Sequence, residues 1–251
     1  MTLERELASK WQQFWDVRSI VPIDNFQRQE IDRLFSLLVA AYTRLDRYYH
    51  NLEHIYDVLT IIDRFNGEDS VHSERLQDPS SVILAAWFHD FVYEPQAADN
   101  EIQSAKAAKE LLINLRLPLD LDRIERLILA TQGHRIEPTD PDLCIFLDAD
   151  LAILGADPIR YAEYRQSIRR EYDWVDDATY RTGRSRVLAS FLQRDRLYYT
   201  DLLFGELEAN ARTNLQQEIA ILEDNNSNLL AIDLRGCLES PIATFRVGKS
   251  P

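Results

Sequence analysis

Apolar residues recur every three or four positions along nearly all of this chain, from about residue 3 to residue 223. That period belongs to α-helices that bury one face. Glycine and proline, 7 and 9 of 251 residues, are too scarce for a β-rich fold with many tight turns. The spacing predicts helices over 3–17, 25–45, 51–65, 81–91, 101–115, 122–132, 142–154, 158–172, 178–196 and 202–222. Local chemistry supports several ends. Asp157 before Pro158 reads as an N-cap with proline at the first helical position, and Asn100 with Gln103 reads as a capping box. Gly133 and Gly155 read as C-terminal stops.

No internal repeat or low-complexity segment interrupts the pattern until Asn225-Asn226-Ser227-Asn228, after which the stretch 242–247 alternates weakly, as short strands would. The expectation is an all-α bundle over 1–224, a single domain, followed by an extension over 225–251.

Charge narrows the class of partner. Asp and Glu outnumber Lys and Arg by 42 to 28, a net charge of −14. A field of that sign repels duplex nucleic acid and anionic lipid, so any anionic substrate must be captured by a local cation or a metal. The N-terminus lacks an apolar signal core. The longest apolar runs, such as 35–42 and 82–88, fall well short of the roughly 18 residues of a membrane span. Cys144 and Cys237 stand too far apart for a zinc knuckle and are too few for a disulfide framework. A soluble, cytoplasmic protein with no membrane partner is expected, and the sequence leaves its oligomeric state open.

Five histidines remain, and four of them, His50, His54, His89 and His134, lie in or beside strongly apolar helical segments, whereas His72 falls in a polar stretch. His50 and His54, four apart, are expected on one helix face that continues through Val58, Ile61 and Phe65. His89-Asp90 closes an apolar helix, where an unneutralised carboxylate would cost several kcal/mol. Asp148 and Asp150 raise the same difficulty: their neighbours three and four positions away are all apolar or Cys144, and neither has a cation in reach on its own helix. Acids and imidazoles gathered on apolar faces without counter-ions are most simply reconciled by a shared divalent metal. Nitrogen and oxygen donors suit Mn, Fe, Co, Ni or Zn, with Mg possible. Which of the two aspartates takes part is left open by periodicity alone.

The ordered set His54, His89-Asp90 and Asp150 resembles the H…HD…D signature of the HD-domain metal-dependent phosphohydrolases, an all-helical fold. The likeness is closer to a bacterial branch of predicted HD phosphohydrolases, through the segments 47–54, 88–93, 99–101 and 147–151, together with Gly183-Arg184. It spans roughly residues 3–223. The resemblance implies an HD-domain-like helical bundle with His54, His89, Asp90 and Asp150 as metal ligands, and it is what favours Asp150 over Asp148. It casts His50 and Asp148 as supporting or substrate contacts. Glu94 stands one residue away from the place of an acidic pair that some members carry.

The activity so implied is hydrolysis of a small phosphate ester or anhydride, with nucleotides first among candidates. Glu101 and His134 are the groups placed to manage protons, although Glu101 can also serve only its helix start and His134 only a helix end. Arginine outnumbers lysine 24 to 4, and nine arginines fall between 160 and 196. Most read as exposed ion pairs, whereas Arg184 after Gly183 has the planar fork that grips phosphate.

Two other readings use the same residues: a di-iron oxygenase on the HD fold, which would want a further histidine between Asp90 and Asp150, and a non-catalytic protein that binds metal or ligand for regulation. The string from His50 to His54 also matches the H-x-x-E-H of inverzincin peptidases, but only over five residues, and it leaves His89-Asp90 and the two aspartates unexplained.

Overall fold

A computed structural model of the chain describes residues 2–18, 21–66, 74–135 and 139–224. His72, Cys237 and the expected strands of the 225–251 extension lie outside them. Among the described residues the regular structure is entirely helical: α1 (Leu3–Arg18), α2 (Asn25–Tyr42), α3 (Leu52–Asp63), α4 (Pro79–Phe88), α5 (Asn100–Leu112), α6 (Leu121–Ala130), α7 (Pro141–Asp150), α8 (Pro158–Glu171), α9 (Asp177–Leu192) and α10 (Asp201–Glu223). No helix there is long and apolar enough to cross a membrane. The chain divides into two compact units at the end of α7, between Ala149 and Asp150.

In the first unit α4 is the central element. Every residue from Ser81 to Phe88 is buried, and α3, α5 and α6 pack around it. A helix apolar all round belongs inside a core. Trp87 of α4 stands edge-on to Trp11 of α1 at 5.3 Å, and Trp11 stands edge-on to Trp15 at 5.4 Å. The Trp11 indole donates to the Ile31 carbonyl, and the Tyr42 hydroxyl donates to the Trp87 carbonyl, so these large rings are buried without stranding those polar atoms. Truncating Trp11 to Ala would therefore cost about 3–5 kcal/mol.

The helix starts follow their caps. Asp24 and Gln27 form a reciprocal capping box on α2, while Asn51, Asp78 and Asp120 cap α3, α4 and α6 through their side chains. Asp157 does the same for α8, with Pro158 at the first position. The box expected from Asn100 and Gln103 does not form. Asp99 is the N-cap of α5, and the Asn100 side chain instead accepts from Glu94 N and donates to the Glu94 carbonyl. Gly133 does take the left-handed conformation expected of a helix stop, with φ +88°.

One staple joins the N-terminal ends of α4 and α7. The fully buried Asp142 carboxylate accepts from the backbone N–H groups of Gln77 and Asp78 at 2.6 and 2.9 Å, and from Arg123 at 2.7 Å. Arg123 also makes a two-bond fork to Asp140, both at 3.0 Å.

The second unit holds α8, α9 and α10 with a 3-10 turn over Ala152–Gly155. Gly155 ends that turn for a steric reason: a Cβ there would meet Leu207 at 2.5 Å, so only glycine lets α10 approach. Asn214 of α10 donates to the Leu154 and Ala156 carbonyls, both at 2.9 Å, which seals the contact.

Candidate metal centre

The centre begins at a cap. Asn51 accepts from Glu53 N and His54 N, and its amide donates back to the Tyr48 carbonyl, so α3 starts one residue before Glu53 with His54 in its first turn. His50 therefore lies in the preceding turn and not on the helix face expected from its spacing to His54. Its ring stacks on Tyr93 at 4.2 Å with 29° between planes, 5.9 Å from the His54 ring.

His89 follows α4 directly, and Asp150 is the last residue of α7. Both helices direct their carbonyl ends, the negative poles of their dipoles, towards the ligand-bearing residues, which favours a cation there. The His89 ring is fixed on both sides: Phe146 meets it edge-on at 5.8 Å, and Nδ1 lies 2.9 Å from the Ala86 carbonyl. A carbonyl oxygen can only accept, so Nδ1 carries a proton, and in the neutral ring the lone pair sits on Nε2. His89 Nε2 lies 3.1 Å from His54 Nε2 and 3.2 Å from Asp90 Oδ2, and His54 Nε2 is 3.6 Å from the same Asp90 oxygen.

Electron pairs crowded in this way need a proton or a metal ion among them. Ligand atoms about 2.1 Å from one ion stand about 3.0 Å apart at right angles and about 3.4 Å apart at the tetrahedral angle. The three separations fall about those values. His54, His89 and Asp150 each offer a ligand atom within 4.8 Å of the others, and all three are buried. This group can hold a metal ion; Asp90, expected as a fourth ligand, lies outside it, with Oδ2 3.6 Å from His54 Nε2 and 3.2 Å from His89 Nε2. Burial pushes the Asp90 carboxyl up, but the charges that His89, His50 and His54 can carry outweigh it and hold that carboxyl well below the usual carboxylate range.

Asp148 is fully buried as well, on the other side of α7, whose residues from Cys144 to Asp150 are all enclosed. Two positions along a helix turn a side chain by about 200°, and the metal-type group contains Asp150 and not Asp148.

The groups expected to handle protons are both enclosed. Glu101, in the first turn of α5, is 8 % exposed. His134, 7 % exposed, follows Gly133 with φ +49°, a conformation uncommon outside glycine. Glu94 is exposed. Arg184 is a correction to the sequence reading. It lies in the second unit, 1 % exposed, and its guanidinium grips Glu218 at 2.8 and 3.0 Å while Tyr161 donates to the same carboxylate at 2.5 Å. A fork already closed on a buried carboxylate is not offered to phosphate.

Arg47, by contrast, is central where periodicity gave it no role. Its guanidinium donates to the Asp90 carbonyl at 2.6 Å, the Phe91 carbonyl at 2.8 Å and the His50 carbonyl at 3.3 Å, packed over the rings of Tyr42 and Tyr93. It ties the turn bearing His50 to the turn bearing Asp90. Ser104 adds a second stitch by accepting from Val92 N and donating to Val92 O. A buried arginine with carbonyl partners leaves no periodic signature, though its place at the head of the segment 47–54 was a usable hint.

Compared with protein-family models, with curated proteins and with solved structures, the chain matches none.

Proposed function

We propose that this chain is a metal-dependent phosphohydrolase of the HD type, acting on a small phosphate ester or anhydride, with nucleotides the first class to test. The observation that carries the reading is the buried group of His54, His89 and Asp150 with metal-type spacing, in which His89 Nε2 stands 3.1 Å from His54 Nε2 and 3.2 Å from Asp90 Oδ2. These four residues are also the ones that carry the resemblance to HD phosphohydrolases.

A bound Mn, Fe, Co, Ni or Zn ion, with Mg less suited to two imidazoles, would supply a hydroxide nucleophile at neutral pH and screen phosphate charge. That local charge is what a protein of net charge −14 needs to attract an anion. Ala86 keeps His89 in the metal-binding tautomer, and the two carboxylates of Asp90 and Asp150 balance a dication. Arg47 holds the Asp90 backbone against the His50 turn. His50, propped on Tyr93 with its ring 5.9 Å from that of His54, is assigned to substrate contact. Hydrolysis joins a water oxygen to phosphorus, breaks the bond to the leaving oxygen and requires a proton on that oxygen. The buried Glu101 and His134 are assigned to that transfer.

The test is chelation followed by reloading with each metal, against a panel of nucleotides and phosphomonoesters. Hydrolysis of at least one member with two or more of the metals, and none after chelation, is the expected result. A protein that binds metal stoichiometrically yet hydrolyses nothing in the panel would overturn the assignment, and oxygen consumption by the iron form would redirect it to an oxygenase.

A further inference from the structure

The metal centre has a side that reaches solvent, and aromatic rings form its edge there. His54, His89 and Asp150 are buried, whereas Tyr49 and His50, on the turn before α3, are half-buried. The Tyr49 ring stands 4.8 Å from the His54 ring, with 44° between planes, and edge to face with His50 at 5.0 Å. A side chain that touches a buried ligand and is itself open to solvent borders the way in to that ligand. Tyr48, the residue before it, is exposed. The cations of the same turn are already engaged: Arg47 spends its donors on three backbone carbonyls, and Arg44 forks onto Asp46. What this turn offers a substrate is therefore the face of a ring.

Resting on the phosphohydrolase reading, the geometry points to Tyr49 as the residue that selects the leaving group: a phosphate monoester whose oxygen carries a flat, uncharged ring, directly or through one carbon. The ion takes the phosphate, and the ring of the leaving group lies on Tyr49, one imidazole away. Ring-on-ring stacking needs no cation and strengthens binding about tenfold. In a chain of net charge −14, a polyphosphate would be repelled everywhere except at the ion. One phosphate on a neutral aromatic group places charge only where the metal meets it.

The probes are phenethyl-, cyclohexylethyl- and propylphosphonate, which cannot be hydrolysed, carry equal charge and differ only in the group they offer to Tyr49. Calorimetric titration into full-length protein loaded with Co should give the phenethyl compound a Kd about tenfold below that of the propyl compound and about threefold or more below that of the cyclohexyl one, the difference that flatness makes. Tyr49→Phe keeps the ring and should keep both ratios. Tyr49→Leu should erase them with the metal still bound. Equal binding of the phenethyl and cyclohexylethyl compounds by the parent protein overturns the proposal without any variant, and so does failure of all three to bind. A Tyr49→Leu protein that keeps the preference overturns it too, as does one that loses its metal, which would make Tyr49 a support for His54 instead of a substrate contact. Benzyl phosphate and ethyl phosphate separate this proposal from the reading it rests on. Ring-selective phosphonate binding without cleavage of either ester removes the hydrolase and leaves the role of Tyr49 standing, whereas cleavage of both at equal kcat/KM leaves the hydrolase and removes that role.

Discussion

His54 Nε2 and His89 Nε2 face one another at 3.1 Å, both on buried rings. With His89 Nδ1–H committed to Ala86, the pair plus Asp90 is a ready set of electron donors that only a proton or a metal can reconcile. Metal should therefore stabilise the fold. At a free metal concentration about 100 times Kd, the gain is about 2.7 kcal/mol, or several degrees in Tm. Thermal denaturation of chelated and reloaded protein measures it, and identical Tm values at saturating Mn, Co, Ni and Zn would count against the centre.

Asp150→Asn keeps the side-chain volume and removes a charge that offsets the ion, so metal occupancy should collapse. Asp148→Asn, on the opposite side of the same helix, should retain the metal and lose about 10- to 100-fold in affinity or activity. Metal content measured on both purified variants decides between them, and loss of metal from the Asp148 variant alone would reverse the assignment.

Arg47→Lys replaces a fork on three carbonyls with a single ammonium that can reach only some of them. Fold stability should fall by about 1–2 kcal/mol, roughly one charged hydrogen bond, while metal Kd rises about 10-fold or more because Asp90 loses its backbone anchor. Calorimetric metal titration at a temperature where the variant stays folded separates the two effects. A Kd equal to that of the parent protein would reduce Arg47 to a packing residue.

Arg184→Met should destabilise the protein by about 3–5 kcal/mol, since it leaves Glu218 charged and buried. The double replacement with Glu218→Gln should cost less than the Arg184 change alone, because it removes the stranded charge. Urea unfolding of the single and double variants provides the comparison. A double variant less stable than Arg184→Met would show that the pair is not the reason for the burial of Arg184.

The ten helices were readable because each buries a periodic stripe, and their ends shifted only where the last turn tightened or a loop took over, as at Tyr42 and at Ile113. His54, His89 and the acids at 90, 148 and 150 stood out because charge on an apolar face demands explanation; only the family resemblance chose Asp150 over Asp148, and the group with metal-type spacing holds His54, His89 and Asp150. His50 was misplaced because Asn51 caps α3 and takes the chain out of helical phase one residue too late for spacing to reveal it. Asn100 and Arg184 failed for a common reason: their partners, Glu94 across a loop and Glu218 on another helix, are set by tertiary structure. The same holds for Arg47, whose partners are backbone carbonyls that a sequence presents everywhere.

The Arg123–Asp142 staple has a mechanical consequence. It clamps α4 and α7 at their starts, while His89 and Asp150 ride at their far ends, so each helix is a lever about 15 Å long with a chelating atom at its tip. A tilt of only about 5° at the clamp would carry a tip more than about 1 Å, a displacement that can cost about 100-fold in a positioned reaction. The tolerance of the centre is thus set by a fulcrum at the opposite end of both rods, where a survey of the ligands alone would never look.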